Sequence, residues 1–412
     1  MKESIFENSK KKRSFLIKNR DILQSTYIPD QLPHRENEID NIVDILTPSL
    51  FKNKPSNILI TGKTGTGKTA VLSYIGKELK KADPEEENCS FLYVNCEIVD
   101  NPYGILFNIA TQVVGENNND IPFTGWSLDR VHDTIINYID KKNKVFIVVL
   151  DEIDRILQKN GDDTLYFLTT MNEILKQSKV SIIGVTNNAN FTDFLNPKTK
   201  SRLGEEKIVF PPYNAKQLQD ILKKRATLAF EEGVLEEGVI PYCAALSAQD
   251  SGDARRALDL LRVSAETAER YESTSITEAH VNSARNKINK NAVEEVIKTL
   301  TPQSKVILRC IIKIHEEKEK DVIVKTGDVY SSYKEVSNIL GITPIKEKRV
   351  ADLISEMDMY GIIHARVKSF GRNGRTREIE LNIDKDIIEF VKKDELFEPL
   401  LKHRSTKQTT LL

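Results

Sequence analysis

An apolar run of strand length, residues 57–61 (NILIT), opens directly onto Gly62-Lys63-Thr64-Gly65-Thr66-Gly67-Lys68-Thr69, and an amphipathic stretch, 70–79, follows. The octet satisfies GxxxxGK[ST] in full, in the strand-then-helix context that gives the pattern its meaning. Glycines let backbone N–H groups close round a β-phosphate, and the start of a helix adds positive potential. In that chemistry Lys68 reaches the β- and γ-phosphates and Thr69 offers a hydroxyl to Mg²⁺.

The surrounding chain alternates short apolar runs with helix-length segments. Residues 91–94 (FLYV), 145–150 (VFIVVL), 181–185 (SIIGV) and 207–210 (KIVF) read as further buried strands. Strands alternating with helices predict a five-stranded parallel sheet covered on both faces, an α/β core over residues 26–212. The run at 145–150 ends in two adjacent carboxylates, Asp151 and Glu152. Ligands sit at strand C-termini in open α/β sheets, so one carboxylate is expected in a Mg²⁺ shell and the other to polarise a water.

Pro211 and Pro212 end the alternation, and 213–291 carries helical periodicity throughout, an all-α second domain. Residues 292–412 read as three helices followed by two β-like segments, 362–367 and 377–381, around a Gly- and Arg-rich tip. That is the layout of a winged helix-turn-helix. In 345–360 the apolar stripe leaves Lys346, Arg349 and Asp352 on the other side, the composition of a recognition helix, with Lys348 as a further contributor. Arg366, Lys368, Arg372 and Arg375 belong to the hairpin, where arginines on a thin loop suit a narrow minor groove.

Charge bears on this because the whole chain is neutral while two segments are not. The 412 residues carry 60 Lys and Arg against 61 Asp and Glu, yet residues 1–20 hold seven basic residues against two acidic. Residues 366–377 hold five basic residues and no acid. Such patches point to local contact with a polyanion. The first, residues 1–25, is expected to be a flexible basic arm. No apolar run reaches the ~18–20 residues that cross a bilayer, and the start lacks a signal-peptide pattern. A cytoplasmic, nucleoid-associated protein without membrane partners is expected. Four cysteines with no CxxC spacing argue against a zinc site.

Together, GKTGTGKT and VVLDEID resemble the AAA+ ATPases. Further stretches resemble one branch, the archaeal replication initiators related to eukaryotic origin-recognition and helicase-loading factors. They are 27–36 (YIPDQLPHRE), 185–187 (VTN), 196–203 (NPKTKSRL), 209–213 (VFPPY), 252–261 (GDARRALDLL), 327–334 (GDVYSSYK) and 371–376 (GRNGRT). They occur in order from about residue 20 to 385. The resemblance implies an ATP-dependent initiator that binds origin double-stranded DNA. It would recruit or load a replicative minichromosome-maintenance-type helicase, with other initiator paralogues as further partners. ATP, ADP and Mg²⁺ would be its ligands, and slow hydrolysis a switch.

The resemblance also implies roles. Thr69 and Asp151 would hold the metal, and Asn187 would be the sensor-1 residue orienting the attacking water. Arg255 would be the sensor-2 arginine of the helical lid, although spacing alone does not choose between it and Arg256. Arg202 would be an arginine finger offered to a neighbouring subunit. Tyr27, Pro29 and Arg35 would lie beside the adenine, with Tyr213 and Ile221 contributing. An extra helical insertion in 101–126 would be the initiator-specific motif. A P-loop transcription regulator with a winged helix for promoter control is the alternative that the same architecture allows.

Overall fold

The structure, a computed structural model, describes residues 16–115, 122, 125–317, 324–369 and 375–400. It divides into two compact units, residues 1–284 and 285–412.

In the first unit, α1 (Glu36–Leu46) leads into β1 (Ile58–Thr61), α2 (Lys68–Ala82), β2 (Cys89–Asn95), α3 (Pro102–Val114), α4 (Leu128–Lys141) and β3 (Val145–Asp151). Then come α5 (Asp154–Asn160), α6 (Asp163–Thr170), β4 (Lys179–Thr186), α7 (Pro197–Leu203) and β5 (Glu206–Val209). The strands form one parallel sheet in the order β2-β3-β4-β1-β5, so the expected five-stranded parallel core is present. Every residue of β3 is buried, as a strand covered on both faces requires. One face packs Leu92, Ile105, Val131, Phe146 and Leu168; the other packs Ile42, Val71, Ile75, Ile147 and Phe210. Two helices, α3 and α4, separate β2 from β3, which accounts for the long gap between the P-loop and Asp151. The loop from 116 to 121 in that insertion lies outside the described residues.

The order of strands sets the site. β3, β4 and β1 are consecutive in the sheet, so their C-terminal ends bring Asp151, Asn187 and the P-loop side by side. No proximity in sequence predicts this; the sheet pairing does.

The chain continues as α8 (Ala215–Ala229), α9 (Val239–Asp250) and α10 (Ala254–Arg270). Asn214 caps α8 with a reciprocal capping box through Gln217. The division between the two units falls within α11 (Glu278–Thr299).

Residues 16–25 correct the expectation of a flexible arm. Leu16, Ile17, Ile22 and Leu23 are buried, and Ile17 forms an antiparallel bridge with Phe230. The abundance of Lys and Arg hides two short apolar pairs, and these suffice to dock the segment. Residues 1–15 lie outside the described residues.

The second unit runs α12 (Pro302–Glu317), β6 (Val324–Lys325), α13 (Thr326–Ile339), α14 (Glu347–Met359), β7 (Ile363–Ser369), β8 (Arg375–Leu381) and α15 (Lys385–Lys392). Its three strands pair antiparallel in the order β6-β8-β7. Ile307, Ile311, Tyr333, Val350, Leu353, Ile354, Met357 and Ile379 fill the core. Helix, helix, helix, hairpin is the winged-helix order expected.

Candidate nucleotide and DNA sites

The P-loop closes as its composition demands. Gly65 and Gly67 have φ of +68° and +92°, conformations that L side chains rarely adopt. A Cβ on Gly65 would stand 1.7 Å from Oδ1 of Asp253, and one on Gly67 would stand 2.8 Å from the Tyr213 hydroxyl. Both glycines are therefore also close-approach sites for the lid side of the molecule.

At the first turn of α2, Lys68 is 6% exposed. Its Nζ donates to the carbonyls of Gly62 (2.7 Å) and Lys63 (2.8 Å) and to Asn187 Oδ1 (2.7 Å). Burial pulls this ammonium below the ordinary lysine range, and the Asp151 and Glu152 carboxylates oppose that shift. Asn187 uses its other end to donate to Glu152 Oε1 at 2.7 Å. One amide thus ties the P-loop lysine to the second carboxylate of β3. Glu152 sits at φ +59°, a left-handed conformation for a residue with a Cβ. Strain of this kind costs ~1–3 kcal/mol and persists where the surroundings over-determine it. Here Glu152 N–H donates to Asp151 Oδ1 at 3.0 Å, and Ile153 N–H to Val185 carbonyl oxygen at 3.0 Å.

Thr69 Oγ1 donates to Asp151 Oδ2 at 2.8 Å. A hydroxyl and a carboxylate at that spacing are hard oxygen donors of the kind Mg²⁺ takes from proteins, which supply one or two and leave the rest to phosphates and water. Among the described residues no group of three or more His, Cys, Asp or Glu could hold a metal ion. Sequence reading missed one member. Tyr93 of β2 also donates its hydroxyl to Asp151 Oδ2. Burial, with the Asp151 carboxylate beside it, pushes the Tyr93 phenol well above its usual range, so it stays a donor. Its place was not legible because β2 and β3 meet only in the sheet.

A cavity of about 790 Å³ is lined by Gly65, Gly67 and Thr69, by the apolar side chains of Tyr27, Ile28, Pro29, Ile221 and Leu228, and by Lys224 and Arg225. Tyr213 and Arg255 line it as well. Arg256, the next residue on α10, turns to Asp250 instead, 2.8 Å away. The lid touches the P-loop directly: Ala254 N–H donates to Gly65 carbonyl oxygen at 3.1 Å, while Asp253 caps α10.

Lys68, Asp151, Glu152 and Asn187 do not line the cavity and are joined to it through Thr69 and the P-loop, and two further sequence-derived residues have partners of their own. Arg35 is 2% exposed and does not line the cavity. It donates to Thr66 carbonyl oxygen (2.9 Å) and Pro211 carbonyl oxygen (2.6 Å), pairs with Glu38, and lies 4.0 Å from the Tyr213 ring centroid. It braces the P-loop and does not face the cavity, a correction with a plain cause: a buried guanidinium must satisfy its donors, and the loop carbonyls are there. Arg202, on α7, pairs with Glu173 and is likewise no part of the cavity wall.

In the second unit, Lys346, Lys348 and Arg349 are exposed at the start of α14, while Val350, Leu353, Ile354 and Met357 face inward. Arg349 approaches Glu356 at 3.5 Å. Arg366 is exposed on β7. Arg372 lies outside the described residues, as do the side chains of Lys368 and Arg375. Arg377, part of the basic run, is engaged structurally: its guanidinium donates to Ala351 carbonyl oxygen at 2.6 Å and locks the hairpin to α14. Tyr333 holds the turn before α14, accepting from Ile345 N–H at 3.1 Å.

Comparison with known proteins agrees in order and extent. The family model for ATPases associated with various cellular activities matches residues 58–211, the Cdc6 AAA+ ATPase-type lid matches 219–286, and the Cdc6 C-terminal winged helix matches 295–391. The chain is 48% identical over 382 residues to the ORC1-type DNA replication protein of Thermococcus onnurineus, covering 92% of this chain and 91% of that one. It is 46% identical over 369 residues to ORC1-type DNA replication protein 1 of Methanosarcina mazei, covering 89% and 88%. Among solved structures, the Aeropyrum pernix ORC1 protein in complex with DNA superposes with a TM-score of 0.79 at 40% identity, over 94% of this chain and 99% of that one. These likenesses do not favour the promoter-control alternative. No helix among the described residues is long and apolar enough to cross a membrane.

Proposed function

This chain belongs to the ORC1-type DNA replication proteins, AAA+ ATPases with a Cdc6-type lid and winged helix, and from that premise we propose that it is an ATP-dependent initiator of replication. It binds double-stranded origin DNA through the winged-helix unit and recruits or loads a minichromosome-maintenance-type helicase. Hydrolysis is slow and acts as a switch.

The observation that carries the reading is the P-loop itself: Gly65, Gly67 and Thr69 line a cavity shared with Arg255, Tyr27, Pro29 and Ile221, and hydrogen bonds tie Lys68 and Thr69 to Asn187, Glu152 and Asp151. Such a cavity suits a nucleoside triphosphate, charged at one end and flat and apolar at the other. Lys68 and the loop N–H groups from Lys63 to Thr69 take the phosphates. Thr69 and Asp151 would hold Mg²⁺, which supplies positive charge against the β- and γ-phosphates. Glu152 polarises the attacking water and Asn187 orients it. Arg255 brings a second cation from the lid. A γ-phosphate contacted from both core and lid sets the angle between them, which is how cleavage of one bond becomes a change of state. Arg202 serves a neighbouring subunit's nucleotide once initiators assemble. Lys346, Lys348, Arg349 and Arg366 contact DNA, with Lys368, Arg372 and Arg375 at the wing.

Nucleotide binding by wild type and Lys68→Ala, with footprinting on chromosomal DNA, tests this. Losing a charged hydrogen bond to phosphate should weaken ATP binding by about 10–150-fold, and footprints should map to origins. Full ATP affinity in the variant, or protection confined to promoters, overturns the proposal.

A further inference from the structure

The apolar end of the cavity is built by a segment that precedes the α/β core in sequence yet is fastened to the lid. Leu16 and Ile17 donate their N–H groups to Glu269 Oε1 at 3.0 and 3.3 Å, and Arg20 pairs with the other oxygen of that carboxylate. Lys18 N–H donates to Ala229 carbonyl oxygen at 2.8 Å, at the end of α8. Arg225, on the same helix, is 8% exposed. It donates to Ile22 carbonyl oxygen at 3.0 Å and Tyr27 carbonyl oxygen at 2.9 Å, and its guanidinium lies 4.6 Å from the Tyr27 ring centroid. Further along, attachments to both sides mix: Lys224 of α8 donates to Gln31 Oε1 at 3.1 Å and Asp220 of α8 meets His34 Nε2 at 3.0 Å, while Leu32 packs against the core and Arg35 donates to the carbonyls of Thr66 and Pro211.

Burying a guanidinium is costly unless its donors are matched, and burial pulls that of Arg225 below its usual range. Its donors are aimed at the two ends of the short segment from Ile22 to Tyr27, between the lid contacts of residues 16–20 and those of Gln31 and His34. Tyr27 lines the cavity together with Ile221, Leu228 and Arg225 itself, all three of which α8 supplies. Three walls of the apolar end therefore share one support.

We propose that the base-recognition wall of this site is part of the lid, and that Arg225 is the positioning residue that fixes Tyr27 and so sets the preference for adenine. The core, with Arg255, grips phosphate; the lid, through this strap, reads the base. The inference rests on the adenine-nucleotide reading above.

The test is competition against a fluorescent ATP analogue by ATP, GTP and inorganic triphosphate, using the full chain, Arg225→Met and Arg225→Lys. Wild type should prefer ATP to GTP. Arg225→Met should lower ATP affinity about tenfold, the scale of a lost charged hydrogen bond, with the ATP-to-GTP ratio falling toward one and triphosphate affinity unchanged. Arg225→Lys should lie between. A folded Arg225→Met that keeps the wild-type ratio, or that weakens all three ligands equally, overturns the inference, as does a wild type that does not discriminate. A wild type that binds no adenine nucleotide overturns the site reading itself. Hydrogen exchange on wild type needs no variant. ATP should slow residues 16–27 together with α8, while inorganic triphosphate slows 62–69 and the start of α10 but not 16–27; equal slowing of the strap by both overturns the inference.

Discussion

Lys68 and Asn187, 119 positions apart, are joined by a 2.7 Å hydrogen bond from the ammonium to the amide oxygen, and the same amide passes its N–H to Glu152. The P-loop and Glu152 are thus registered by one side chain just after the strand between them. Removing it in Asn187→Ala should leave nucleotide binding within a few-fold and slow single-turnover hydrolysis about 100-fold, the cost of a misplaced reacting group. Equal losses in binding and turnover would show a collapsed loop instead.

Tyr93 shares Asp151 Oδ2 with Thr69. Outer partners that orient a metal ligand are worth about 10–100-fold in metal affinity. Tyr93→Phe keeps the ring and removes that bond, so the Mg²⁺ concentration that half-saturates nucleotide binding should rise by about tenfold or more, with an unchanged melting temperature. An unchanged Mg²⁺ dependence would remove Tyr93 from the site.

The adjacent arginines of α10 should separate cleanly. Arg255 lines the cavity, while Arg256 pairs with Asp250 at a half-exposed position. Arg255→Ala should slow hydrolysis and weaken the preference for ATP over ADP by about tenfold or more. Arg256→Ala should change neither, and stability should move by no more than about 1 kcal/mol. Stopped-flow turnover and chemical denaturation report the two.

Asp140, at the end of α4, accepts from the N–H groups of Lys176 (2.9 Å), Gln177 (2.7 Å) and Ser178 (3.0 Å). Those bonds hold its carboxyl below the usual aspartate range. A depressed folded-state value stabilises the fold above the unfolded value, near ~3.9, and that stability is lost as pH falls through the folded value. Asp140→Ala should therefore cost about 1–2 kcal/mol at pH 7, and its stability curve should approach the wild-type one below about pH 4. A difference that grows on acidification would contradict this.

On DNA, Lys348 and Arg377 should behave as different kinds of residue. Taking one cationic side chain off a phosphate lowers the slope of log affinity against log salt by about 0.9. Lys348→Ala should show that change. Arg377→Ala should instead loosen the hairpin from α14, lowering the unit's thermal stability as well as its affinity. Identical salt slopes for wild type and Lys348→Ala would take that lysine off the interface.

The P-loop, the carboxylate pair and the alternation of strands and helices were legible because each is local. A glycine that must adopt positive φ, an apolar run that must be buried and a helix cap that must accept a backbone N–H all act within a few residues. Sequence therefore determined the five-stranded core, the helical region after Pro212 and the helix–hairpin order of the last unit. The tertiary structure alone decided which distant side chains meet. Parallel pairing set Tyr93 against Asp151 and Lys68 against Asn187; the docking of α10 turned Arg255, not Arg256, to the cavity; burial turned Arg35 from a ligand candidate into a brace. Two apolar pairs within a basic stretch fastened the strap to the lid. Hydrogen bonds and desolvation are contests between partners from different parts of the chain, and only folding says which partners are present.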